Sequence, residues 1–128
     1  MEQLDRTVHL GLPTEPASIA VVRSVVASVA SRLALPYDAV DDLRIAAAEA
    51  AAMLIAAGPR GSRLCVDLRP SSLDLQLTIW VEGAGEGVEI AGRDALAWRV
   101  IEGLTDGSDV IEVGGDTAIE LRVRTVSS

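Results

Sequence analysis

Apolar residues recur along this chain in two rhythms, one of period two and one near 3.6, and the switches between them mark out strands and helices. Residues 6–12 (RTVHLGL) alternate weakly and predict a first strand. The segment PTEPAS turns the chain into a helix over 17–34. There Ile19, Val22, Val26, Val29 and Leu33 fall at helical spacing, with Arg23, Ser24, Ser28 and Arg32 between them. Pro36, in LALPYDAV, cannot continue that helix. A second helix is predicted from Asp38 to Ala57, where GPRG stops it. RLCVDLRP and SLDLQLTIWVEG read as two strands joined by a hairpin turn at RPSS. GAGEGVEIAG is glycine-rich and loop-like. DALAWRVIEGLTD predicts a third helix with Leu96, Val100, Ile101 and Leu104 as its buried stripe. A strand around SDVIEV, a GGD turn and the strand TAIELRVRTV follow.

The resulting order is β-α-α-β-β-α-β-β. Strands joined by short turns, with helices grouped together, predict an α+β fold: a two-layer sandwich with the helices on one face of a mixed, largely antiparallel sheet. No repeat or low-complexity linker interrupts the chain, and residues 1–128 read as a single domain.

Composition narrows what such a sandwich can be. Hydrophobic residues make up 49% of the chain but aromatics only 2%, with no Phe, so the core has to be built from Ala, Val, Leu and Ile. The formal net charge of −8 argues against sequence-independent nucleic-acid binding, which rests on Lys and Arg contacts to phosphates. It is compatible with a basic protein partner. Cys65, the one cysteine, has no intrachain partner, and a reducing cytoplasm is its natural setting. The opening MEQLDRTVHLGL carries acids and no long apolar run, unlike a signal peptide. No stretch approaches the ~18 apolar residues of a membrane span.

Four segments, taken in order, carry a family resemblance. DDLRIAAAEAAAMLIAAG resembles the first ATP-site helix of the anti-sigma factor serine kinases of the RsbW type, within the GHKL superfamily. LTIWVEGAG resembles that family's strand ending in D-x-G-x-G. GRDALAWRVIEGLTD resembles its glycine-containing helix start, and GGDTAIELRV its closing G-T strand. Each motif alone is weak; their order is specific and spans essentially the whole chain. The resemblance implies a Bergerat-type ATPase fold.

It also implies a set of site residues. In the family a helix glutamate is the general base for phosphoryl transfer. An asparagine one turn on holds Mg²⁺, a strand-end aspartate accepts the adenine amino group, and glycines let backbone approach the nucleotide. Glu49 matches the glutamate, but Met53 stands where the metal-holding asparagine should be, and the chain contains no Asn. A thioether is a poor ligand for a hard cation. Val81 replaces the adenine-binding aspartate. Glu82 follows one position late, on the opposite face of a strand. Gly83, Gly85 and Thr117 match, while Asp116 replaces the small residue before Thr117. Between Gly85 and Gly92 there is little room for the family's lid. Phosphoryl transfer depends on positioning and electrostatics, so these departures together predict a protein without ATP, without Mg²⁺ and without kinase activity. Glu49, Met53, Val81, Gly83, Gly85 and Thr117 would then be vestigial.

Each residue also has a plainer reading. Glu49 is equally a helix carboxylate, Gly83 and Gly85 a turn, and Trp80 and Trp98 core residues. His9, on a predicted edge strand without companion ligands, is structural or solvated. Arg23 matches a family arginine that contacts the sigma factor and its antagonist, and its planar fork suits carboxylates; on its own it is an arginine on a polar helix face. The expectation drawn from the resemblance is an anti-sigma-like regulator, homodimeric through the first strand and helix. It would sequester an alternative sigma factor and be released by an anti-anti-sigma (STAS) protein. The alternatives are an active serine kinase acting on such a STAS protein, or a dimeric ligand-sensing domain unrelated to sigma factors.

Overall fold

A computed structural model describes residues 6–59, 61–85, 90 and 95–125. The order is β1 (Val8–Pro13), α1 (Ser18–Ala30), α2 (Ala39–Ala57), β2 (Arg63–Pro70), β3 (Asp74–Val81), α3 (Leu96–Leu104), β4 (Gly107–Val113) and β5 (Asp116–Arg124). The strands form one sheet in the order β1-β2-β3-β5-β4. Every pairing is antiparallel, where the sequence predicted a mixed, largely antiparallel sheet. The β2–β3 and β4–β5 connections are hairpins, and two helices stand between β1 and its sheet neighbour β2.

Strict alternation makes one face of the sheet apolar. Leu64, Val66 and Leu68 of β2 pair with Val81, Ile79 and Leu77 of β3, and Ile79 and Leu77 pair in turn with Ile119 and Leu121 of β5. All are buried, in one cluster with the inward sides of α1, α2 and α3. Small residues let the helix layer sit close to the sheet: Ala46, Ala47, Ala50 and Ala51 of α2 are fully buried. This α+β two-layer sandwich is built from aliphatic side chains, with Trp98 as the large aromatic at its centre.

The structure shifts several sequence expectations. Helix α1 ends at Ala30 rather than reaching residue 34. The amides of Arg32 and Leu33 bond back to Val29 and Ala30 in tight i→i+3 turns ahead of Pro36. Arg32 therefore lies beyond the helix. On α3 the buried pair is Trp98 and Ile101, and Leu96 is 76% exposed. Leu96 and Trp98 are two residues apart, about 200° around the helix, so both cannot face the core. Trp80 is half-buried on the uncovered face of the sheet, in register between Cys65 and Ala118. Among the described residues no helix is long and apolar enough to cross a membrane.

Candidate functional site

The residues that resemble a nucleotide site converge where α2, the end of β3 and the start of β5 meet. Glu49 and Met53 lie one turn apart on α2, both partly exposed, and Met53 packs against the core cluster. Val81, the last residue of β3, is 1% exposed. It sits beside Gly58, the residue that ends α2: a Cβ on Gly58 would lie 3.2 Å from both Val81 methyl carbons and 2.9 Å from the Leu54 carbonyl. Only glycine permits that approach, and the Gly58 amide closes the helix on the same carbonyl at 2.8 Å.

Beyond β3 the chain turns through Gly83, Ala84 and Gly85. Both glycines have left-handed φ values, +80° and +82°, which other residues rarely adopt. Consecutive residues of β5 hold this turn. Asp116 accepts the Gly83 amide through Oδ2 at 3.1 Å and the Gly85 amide through Oδ1 at 2.8 Å. Thr117, nearly buried, donates its amide (3.1 Å) and its hydroxyl (3.3 Å) to the Gly85 carbonyl. Glu82 points to the other side of the strand, with its carboxylate 3.6 Å from the Cys65 sulfur. The structure thus brings together Val81, Gly83, Gly85 and Thr117. The lid expectation, over residues 86–91, falls largely outside the described residues, as does the MEQLD start of the chain.

A second feature lies on the outer side of the helix layer. Arg23 lines an open groove of about 810 Å³ between α1 and α2. Ala20, Ser24 and Ala27 form the α1 side, and Arg44 and Ile45 the α2 side. Arg44 also reaches Asp41, one turn earlier, at 3.2 Å. The groove carries two arginines, one of them paired with Asp41, in a chain whose net charge is −8. Sequence reasoning found Arg23 and missed Arg44 and Ile45; the available signal was their place on α2 beside exposed Asp41, against the otherwise alanine-rich run. It also treated Asp116 only as a charge out of place, although a carboxylate beside a G-x-G turn is a natural acceptor for its amides. His9 has a partner after all: its Nδ1 lies 2.7 Å from Asp67 Oδ1, across the β1–β2 register.

The Histidine kinase-like ATPase domain family matches residues 12–123. The chain belongs to that family. No curated protein matches it. Among solved structures it is similar to the RsbU and RsbW domains of Rv1364c from Mycobacterium tuberculosis, with a TM-score of 0.66 at 14% identity. That match covers 94% of this chain and 34% of the other, so the chain spans about a third of the length of that solved chain. At this identity the likeness is one of fold, and it agrees with the Bergerat-type sandwich described above.

Proposed function

We propose that this member of the histidine kinase-like ATPase family is a partner-binding regulator of the anti-sigma type, acting without ATP-dependent phosphoryl transfer. The observation that carries the reading is Val81. At the strand end where a base-recognising carboxylate belongs, the chain has an apolar side chain packed into the core against Gly58. The donor set around it points the same way. Met53 offers a thioether in place of an oxygen ligand for Mg²⁺. These residues do not suit Mg·ATP, and we derive no phosphoryl-transfer step through it. Glu49 has no role in this reading beyond that of a helix carboxylate.

The positive half of the proposal rests on the groove. Arg23 and Arg44 flank a floor of small residues, a shape that accepts a partner's helix or turn bearing carboxylates. The similarity to a protein whose name includes an RsbW domain makes an alternative sigma factor the partner to test first, and a STAS-type antagonist the natural competitor. The setting we propose is cytoplasmic, with a homodimer as the working form. Two assays test the reading together. Isothermal titration with Mg·ATP is expected to give no binding heat, and a pull-down against the host's sigma factors is expected to capture one. Binding and hydrolysis of ATP would instead favour the kinase alternative.

A further inference from the structure

The turn Gly83–Ala84–Gly85 presents a pair of backbone amides to a single carboxylate. Gly83 and Gly85, two residues apart, each donate to a different oxygen of Asp116, at 3.1 and 2.8 Å. The Ala84 amide between them turns away, back to the Val81 carbonyl at 3.3 Å. Convergent amides of this kind form a concavity with partial positive charge, the backbone arrangement that binds anions elsewhere in proteins. The left-handed φ values of both glycines create it, and an ionised acceptor strengthens its hydrogen bonds relative to neutral ones. Thr117 fastens the same turn through the Gly85 carbonyl, so the cradle and its acceptor are held in register by one strand start.

We propose that this turn is an oxyanion-binding cradle that the chain keeps closed in cis with Asp116. The tethered carboxylate competes at a high effective concentration. A free anion such as inorganic phosphate would have to displace it from a protein already carrying a net charge of −8. Asp116 is then a gate on ligand chemistry at this end of the molecule: with it the turn excludes small oxyanions, and without it the turn takes them. The inference is independent of the sigma-factor reading, since it concerns only the chain's own turn.

The test is ¹⁵N NMR of the full chain, as wild type, Asp116→Ala and Asp116→Asn, titrated with inorganic phosphate at constant ionic strength. In the wild type the Gly83 and Gly85 amides are expected to stay in place. In Asp116→Ala they are expected to shift saturably, while amides of the β3–β5 ladder remain unmoved. Loss of two charge-assisted bonds is also expected to speed hydrogen exchange at these amides by about ten-fold or more. A folded Asp116→Ala protein whose two glycines ignore phosphate overturns the cradle. An equal response in the wild type overturns its closure. Asp116→Asn covers the case in which the alanine variant does not fold. Its carboxamide has one acceptor oxygen, so exchange at one of the two glycines is expected to rise; unchanged exchange at both overturns the proposal.

Discussion

Val81 and Gly58 are in close contact: a Cβ on Gly58 would come within 3.2 Å of both Val81 methyl carbons and 2.9 Å of the Leu54 carbonyl. The end of β3 is therefore part of the core, next to Leu64 and the C-terminus of α2. Val81→Asp, which restores the carboxylate of the kinases at this position, would bury an ionised group in that contact. It is expected to destabilise the fold by ~2 kcal/mol or more. Urea denaturation measures this directly. An unchanged midpoint would mean that water reaches the strand end, and the reading of Val81 as filling the base site would fall.

Nucleotide binding has a simple thermal signature. A ligand at one hundred times its Kd stabilises a protein by roughly 2.7 kcal/mol. Millimolar Mg·ATP is expected to leave the melting temperature where it is. A rise of several degrees would show a functioning nucleotide site despite Met53 and Val81.

Arg23 and Arg44 are expected to anchor the partner. A charge pair desolvated at an interface costs about 2–5 kcal/mol when one member is removed, which is thirty-fold or more in affinity. Arg23→Ala should weaken sigma-factor binding to that extent with the fold intact, and Arg44→Ala should weaken it in the same direction. Arg32→Ala, in the exposed turn beyond α1, controls for loss of positive charge, and Glu49→Ala for loss of a helix carboxylate outside the groove. Affinities at two salt concentrations separate a buried anchor from a screened rim charge. Equal, small effects at Arg23 and Arg32 would remove the groove as the binding surface.

Homodimerisation is expected to use the β1 edge and α1. The structure narrows which residues are available for it. Val25 and Val29 are partly buried and already packed against the core, whereas Val21 is 41% exposed. Analytical ultracentrifugation at tens of micromolar is expected to show a dimer, and Val21→Glu to dissociate it. A strict monomer in the unmodified protein contradicts the assembly.

Cys65 should be a sluggish nucleophile. Desolvation, its hydrogen bond to Glu82 and the negative charge of that carboxylate raise its pKa from 9.0 to about 11. The thiolate is the reactive form, so alkylation near pH 8 is expected to run on the order of a hundred-fold slower than for an unperturbed thiol. The rate should climb with pH until about 11. Glu82→Gln removes the carboxylate's contribution and should speed the reaction. Ordinary reactivity at pH 8 would show that neither the burial of Cys65 nor its contact with Glu82 holds in solution.

Local pattern was enough for much of the architecture. Alternation located β2 to the residue and β3 to within two residues at each end, because a half-buried strand must place apolar side chains at every second position. Pro36 separated the first helix from the second, since it cannot continue a helix, and Gly58 ended α2. The ordered motifs from Asp41 to Val123 were likewise legible as a histidine kinase-like domain, with Met53 and Val81 visible as departures.

Other features belong to the tertiary structure alone. A periodic stripe says that one face of α3 is apolar, but not that Trp98 rather than Leu96 meets the sheet, which depends on how α3 is rotated against α2. Alternation cannot tell which face of the sheet the helices cover, and so left Trp80 in the core when it lies on the uncovered side. Arg23 and Arg44 share a groove only because α1 and α2 pack side by side, and Asp116 reaches Gly83 and Gly85 only because β5 pairs with β3. Periodicity records the environment of a residue along its own element; contacts between distant segments arise from how those elements pack, and no local pattern encodes them.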